Sequence, residues 1–300
     1  MATELPTRTL GRTGLEVTQL GFGAMEFRTP EGGEGRETSE EQAEKVLNAV
    51  LDFGITFVDT APDYGVSEER IGKYISHRRD EFTLATKCGC NIDENGVRQE
   101  PSHLWTGDRL RRNIDQSLER MKTDHVDVLQ MHGGSLEDVE KGGLIEVLQE
   151  IRDAGKTRFF SASSTAPNLM QLVDTGAFDT FQIPYCVLER KHEQMIQQAA
   201  DAGCGIVVRG GIGKGHRGPE DRWAKWDEAG LDDMLDGMNR YEFVLRYTLT
   251  HPACHTTIVG TLDLGHLEAN VTVAKAGPLP SDIYEHTKER MSGIGENPLD

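Results

Sequence analysis

Four side chains of this sequence could share one piece of chemistry: Asp59, Tyr64, Lys87 and His132. Each lies at or just past the end of a short apolar run. Phe57-Val58-Asp59 leads into Thr60-Ala61-Pro62-Asp63-Tyr64-Gly65, so a carboxylate closes the run and a phenol follows in a Pro/Gly turn. Phe82-Thr83-Leu84-Ala85-Thr86 ends on the cation Lys87, and Val126 to Met131 ends on the imidazole of His132. A free phenol titrates near about 10 and is a poor proton donor at neutral pH. A neighbouring ammonium lowers that value, and a carboxylate partnered with the lysine keeps the ammonium charged and in place. Asp59, Lys87 and Tyr64 therefore read as a relay for general acid–base work, with His132 donating to a carbonyl oxygen as negative charge develops on it. The set contains no hydride donor, so a nicotinamide cofactor is expected to supply the hydride. Singly, an Asp or His at a strand end usually caps a helix or anchors a loop; it is the joint placement that carries the reading.

Three strand ends meet at one rim when the strands run parallel in a barrel. The remaining sequence supplies the elements. Apolar runs at Gln19–Gly23, Thr56–Asp59, Phe82–Lys87, Val126–His132, Thr157–Ala162, Phe178–Ile183, Gly205–Val208 and Thr256–Val259 read as strands. Helical patterns lie between them. The first begins at Ser39, with Gln42 completing a capping box and Ala43, Leu47, Val50 and Leu51 on one face. Others fall near Glu68–Ser76, Gly107–Met121, Leu144–Ala154, Pro167–Thr175, Lys191–Ala202 and Gly265–Ala274. The alternation predicts an α/β fold, a (β/α)8 TIM barrel forming one domain over residues 1–300. No Gly-x-Gly-x-x-Gly opens a helix, which counts against a dinucleotide-binding open sheet. Residues 7–17 read as an N-terminal β-hairpin, and the tail beyond Pro278 as a short helix, Ser281–Met291. Two long loops, Cys88–Thr106 and Gly213–Met238, follow the third and seventh strands and open on the same rim. Their Trp105, Trp223 and Trp226, with Met25 after the first strand, are candidates for a substrate pocket.

Acidic residues outnumber basic ones by 50 to 32, a net charge of −18, which argues against nucleic acid or an anionic membrane as partner. No run approaches membrane-spanning length and the first residues carry no signal-peptide pattern, so a cytoplasmic protein is expected. Five scattered cysteines do not suggest a disulfide framework. Cys88 and Cys90 are too few and too close together for a zinc site, and no metal is expected. Oligomeric state is open.

The residues that carry these readings resemble the aldo-keto reductase family over essentially the whole length. The matching pieces are Asp59-Thr60-Ala61 with Tyr64-Gly65, Ser67-Glu68 with Ile71-Gly72, Thr86-Lys87, and Leu110 to His132, especially Ser117 to Met121 and Asp124 to His132. The resemblance implies a (β/α)8 barrel whose base is closed by the N-terminal hairpin, and a tetrad that reduces carbonyls with NAD(P)H. In it Tyr64 gives the proton, Lys87 lowers its pKa, Asp59 orients Lys87 and His132 positions the carbonyl. It also implies cofactor contacts. Ser163 is retained, Ser164 replaces the Asn that usually meets the carboxamide, and Gln182 sits at the position of the family's carboxamide-binding Gln; a hydroxyl can still bond an amide. In place of the family's Tyr-Ser-Pro-Leu stands Arg209-Gly210-Gly211-Ile212-Gly213-Lys214-Gly215. There Arg209 could stack on the nicotinamide, and Gly210, Gly211 and Lys214 could meet the pyrophosphate. The segment for the 2′-phosphate of NADPH, Gly260 to Asn270, has no Lys or Arg: Gly260, Thr261 and Asn270 remain as contacts, His266 is the one candidate cation, and Asp263 opposes a phosphate. The resemblance gives NADP(H) as cofactor, with NAD(H) the close alternative. The expected function is interconversion of a small aldehyde, ketone or sugar with its alcohol. The alternatives are a cofactor-binding regulatory or scaffold subunit with little turnover, and a barrel lyase or isomerase using Lys87 as a Schiff base.

Overall fold

The computed structural model describes residues 4–28, 38–94, 96–213 and 222–299. Near the N-terminus, β1 (Thr7–Thr9) and β2 (Glu16–Thr18) pair antiparallel with Thr7 opposite Thr18, the expected hairpin. The chain then enters the barrel with β3 (Leu20–Gly23), β4 (Phe57–Asp59) and β5 (Thr83–Cys88). A small antiparallel pair, β6 (Cys90–Ile92) and β7 (Arg98–His103), stands off the rim. The barrel resumes with β8 (Val126–Met131), β9 (Thr157–Ser163), β10 (Thr180–Pro184), β11 (Gly205–Arg209) and β12 (Thr256–Val259). These eight strands close into one barrel, all neighbours parallel, with β12 pairing back onto β3.

The expected helices form as α1 (Glu40–Asp52), α2 (Ser67–Tyr74), α3 (Gly107–Met121), α5 (Leu144–Asp153), α6 (Asn168–Asp174), α7 (Glu193–Asp201), α10 (Leu264–Ala276) and the tail helix α11 (Ser281–Gly293). Three more were not read from the sequence: α4 (Leu136–Gly142), α8 (Arg222–Glu228) and α9 (Arg240–Thr250). Helix α9 buries Phe243, Val244, Leu245, Tyr247, Thr248 and Leu249, which do not lie on one face, because the Trp226 ring and Tyr284 of α11 cover it from outside. A helix buried on most sides carries no amphipathic stripe to detect. The capping box at Ser39 is only half made. The Ser39 hydroxyl accepts from Gln42 N at 3.1 Å, but the Gln42 side chain donates across to Leu262 O at 2.6 Å, tying α1 to the loop after β12.

Inside the barrel the two-residue period of a strand sorts the core from the site. Phe57, Ala85, Val128 and Val207 point inward low in β4, β5, β8 and β11, and pack on Leu10, Leu15 and Val17 of the hairpin, which plugs the base. Two positions further along the same strands stand Asp59, Lys87, Gln130 and Arg209. One inward face therefore begins as an apolar plug and ends as a polar floor. The hairpin's turn is tight against the barrel: Arg12 N donates to Gly203 O at 2.8 Å, and a Cβ on Gly11 would stand 2.3 Å from Gly205 N.

Helices α2 and α3 touch most closely at Gly72, where an added Cβ would lie 2.0 Å from Arg120 O. In an exposed helix, Gly to Ala gains up to about 1 kcal/mol. Here Gly72→Ala is expected to lose about 1–3 kcal/mol, the range for overpacked contacts. Denaturant unfolding checks this, and a more stable variant would contradict the packing.

Candidate active site

Asp59 is the centre of the floor. Its side chain is 3 % exposed and that of Lys87 is 0 %, and Lys87 Nζ donates to Asp59 Oδ2 at 2.7 Å and to Thr60 O at 2.7 Å. The other carboxylate oxygen accepts from Gln130 Nε2 at 2.6 Å and from Gln182 Nε2 at 2.9 Å. Gln182 passes the order outward, since its Oε1 accepts from Ser163 Oγ at 3.3 Å. One carboxylate thus fixes a lysine and two amides, and through them a residue of the expected cofactor site. Gln130 was missed in the sequence, although it precedes His132 by one strand period.

The motif residues around this centre have identifiable work. Thr60 Oγ1 and Ser67 Oγ lie 2.9 Å apart, and Ser67 donates to Ala24 O, which fixes the turn after β4. The buried Glu68 accepts from Thr86 Oγ1 at 2.7 Å, next to Lys87, and pairs with Arg120 at 3.3 Å. Gly65 takes φ +53°, a left-handed conformation that glycine adopts without strain and that lets the turn close behind Tyr64.

Tyr64 rests over this floor with its ring centroid 5.0 Å from Lys87 Nζ and its ring edge-on to His132 at 5.8 Å. Burial pushes its phenol up to about 12; Lys87 pulls it down, while Asp59, Asp63 and Cys90 add to the rise. Lys87 lowers the phenol as expected but does not bring it below its ordinary value: desolvation and three acidic neighbours outweigh one ammonium that Asp59 already partners. Burial pulls Lys87 down, yet the charge of Asp59 and the hydrogen bond to it hold the lysine above its ordinary range. The result is a protonated phenol over a lasting cation.

His132 turns Nδ1 away from the floor, to 3.3 Å from Asp63 Oδ1 and 3.3 Å from Cys90 Sγ. Asp63 Oδ2 accepts from Arg98 of β7 at 2.6 Å. Burial pushes the Asp63 carboxyl up, but His132 and Arg98 together hold it below the usual carboxylate range. Cys90, Arg98 and His103 were not singled out in the sequence as site residues, because the β6–β7 pair that delivers them was read as plain loop; Asp63, in the turn after β4, was not singled out either.

A cleft of about 1000 Å³ opens above these groups. Tyr64 and His132 form one part of its wall, and Ser163, Ser164, Gln182, Arg209, Gly210, Gly211, Gly260, Thr261, His266 and Asn270 form another. The described cofactor expectations thus fall in one groove; Lys214 lies outside the described residues. Arg209 is drawn down by burial, and its Nε is buried without a partner among the described residues. A half-buried cation facing the cleft with an unmet donor fits an anionic, ring-bearing ligand such as a nicotinamide dinucleotide, and the volume is at the upper end for cofactor sites. At the far end Asp263 caps α10, its Oδ1 accepting from His266 N at 2.9 Å.

The substrate-side expectations divide. Met25 lines the cleft, whereas Trp105, Trp223 and Trp226 do not. Trp105 stacks on His103 at 5.7 Å and covers Gly89, where a Cβ would sit 2.2 Å from the indole. Trp226 is fully buried and donates Nε1 to Asp232 at 2.8 Å. Trp223 packs between Trp226 and Tyr241, with Arg240 over its ring. All three hold loops down. Besides Tyr64, Tyr241 at the start of α9 reaches the cleft.

No described helix is long and apolar enough to cross a membrane. The Aldo/keto reductase family model matches residues 19–222. The uncharacterized oxidoreductase YqkF of Bacillus subtilis is 26 % identical over 309 residues, covering 94 % of this chain and 96 % of its own. The L-galactose dehydrogenase of Arabidopsis thaliana is 27 % identical over 302 residues, covering 90 % and 88 %. The holo form of aldo-keto reductase AKR11C1 from Bacillus halodurans superposes with a TM-score of 0.83 at 27 % identity, covering 96 % of each chain. The chain belongs to the aldo-keto reductase family and is an NAD(P)-dependent oxidoreductase of carbonyls and alcohols.

Proposed function

We propose that this enzyme reduces small aldehydes, ketones or sugars to the alcohol, with Tyr64 as proton donor and Asp59, Lys87 and His132 as its support. The observation that carries the reading is the buried Asp59–Lys87 pair directly beneath a phenol that forms the cleft wall. A nicotinamide dinucleotide, when bound, supplies the hydride. Ser163, Ser164 and Gln182 present hydroxyls and an amide to its carboxamide, and Arg209 presents a flat cation to its ring. His132 holds the substrate oxygen near Tyr64. As charge develops on that oxygen, the phenol proton passes to it, and Lys87 stabilises the phenolate left behind. The five cysteines are all free and buried, in keeping with a cytoplasmic setting.

NADP(H), implied by the family, meets an obstacle of this chain's own making. The Asp263 carboxylate already takes the amide at the start of α10, and His266 is the neighbouring cleft residue able to carry positive charge in that segment. We read the preference between NADPH and NADH as small for that reason.

Tyr64→Phe is expected to lower kcat/KM by about 10²- to 10⁴-fold, the usual worth of a positioned proton donor, with cofactor affinity unchanged. Turnover equal to the parent enzyme would sink the assignment, and steady-state rates with parallel fluorescence titration decide it. Asp263→Asn keeps a capping side chain but removes its charge. It should tighten NADPH binding about two- to fivefold, the scale of a charge at a helix end, and leave NADH unaltered. NADPH binding that stays the same or weakens would contradict the repulsion.

A further inference from the structure

Beside the cleft, where His103 and His132 form part of its wall, four donor side chains converge that no local motif connects: Asp63, Cys90, His103 and His132, whose ligand atoms all lie within 4.8 Å of one another. The geometry points to a zinc site here, with a carboxylate, a thiolate and two imidazoles as its ligands. This goes beyond the reductase reading and does not depend on it.

Two of the donor atoms make no regular hydrogen bond. Asp63 Oδ1 belongs to a side chain that is 0 % exposed and has no hydrogen bond among the described residues, only an ion-pair contact with His132 Nδ1 at 3.3 Å. His103 Nε2 is likewise buried and without a partner among them. His132 Nδ1 faces both Asp63 and Cys90 Sγ at 3.3 Å. Tetrahedral zinc, with bonds of about 2.0–2.3 Å, sets its ligands roughly 3.3–3.6 Å apart, so the Asp–His and Cys–His edges are already close to that spacing. The wider edges need only small side-chain movement.

The surroundings of each ligand are also those of a metal site. Arg98 holds the other Asp63 oxygen at 2.6 Å, leaving Oδ1 directed inward. Ser102 Oγ lies 3.0 Å from His103 Nδ1, leaving Nε2 as the unmet nitrogen, and Trp105 stacks on that ring with an interplanar angle of 4°. His103 and His132 meet edge-on at 5.0 Å. Thiolate and imidazole together suit zinc over magnesium or calcium, and carboxylate plus thiolate balance its two charges. Cys88 takes no part, since it faces the core behind β5.

Four protein ligands would fill the coordination shell, so the ion would clamp groups and not act on substrate directly. With Nδ1 on zinc, the His132 proton must sit on Nε2. That consequence rests on the proposed role of His132, as it makes the imidazole a fixed donor to a carbonyl oxygen.

The test uses the full-length protein, stripped with chelator and titrated with Co²⁺ as a visible probe, without cofactor. One equivalent is expected to bind, with tetrahedral d–d absorption and a thiolate-to-cobalt band, and one equivalent of Zn²⁺ should displace it. Cys90→Ser should abolish the thiolate band, and His103→Gln should weaken Co²⁺ binding by at least about tenfold, with circular dichroism confirming that each variant folds. No saturable binding, or a spectrum unchanged in both variants, would overturn the site. Absent cobalt binding with intact NAD(P)H turnover would remove the metal site alone; normal cobalt spectra with Tyr64→Phe fully active would remove only the proton-donor assignment.

Discussion

The buried pair of Asp59 and Lys87 is the constraint on which the rest of the structure turns. A lysine at 0 % exposure inside a barrel needs a counter-charge, and Asp59 supplies it at 2.7 Å. Removing either partner of such a pair leaves an uncompensated charge, at a cost of about 3–5 kcal/mol. Asp59 in turn is completed by Gln130 and Gln182, so β4, β5, β8 and β10 all contribute to one electrostatic unit. An apolar core of equal size could hold the barrel at least as firmly. What the polar floor adds is a cation fixed under a phenol.

That floor is placed by strand geometry. Because inward positions recur every second residue, the strands that bring Phe57, Ala85, Val128 and Val207 onto the hairpin plug bring Asp59, Lys87, Gln130 and Arg209 to the opposite end. The hairpin at the base and the cleft at the rim are two consequences of one register. Moving any strand by one residue would turn its site residue out of the barrel and its plug residue with it. The loops then refine the site: Gly65 closes the turn behind Tyr64, and the β6–β7 pair carries Arg98 and His103 to the back of His132.

Much of this was legible in the sequence because it is local. A strand ending in Asp, Lys or His announces both its direction and its chemistry, and the groove residues from Ser163 to Asn270 follow the same rule around the barrel. Apart from Gln130 and α4, the failures are non-local. The paired strands within Cys88–Thr106 have a polar exposed strand, Arg98–His103, with no alternating pattern, so Cys90 and His103 could not be brought together from sequence. Helix α9 is apolar on too many sides to show a stripe. Trp105 and Trp226 look like pocket residues until their partners, Gly89 with His103 and Asp232, are seen to fix them as anchors. The sense of the Tyr64 shift was also out of reach, since desolvation depends on what lies over and around the ring.

Burial keeps the Tyr64 phenol protonated over a permanent cation. The most direct measurement is an NMR titration of protein labelled with ¹³C at the tyrosine ring carbon bearing oxygen, with the Tyr64 signal assigned by its loss in Tyr64→Phe. The phenol shift is expected to hold to about pH 11 and to move only as the value of about 12 is approached. A phenolate signal appearing at or below the ordinary tyrosine value of about 10 would contradict it. It would mean that Lys87, and not burial, governs the proton.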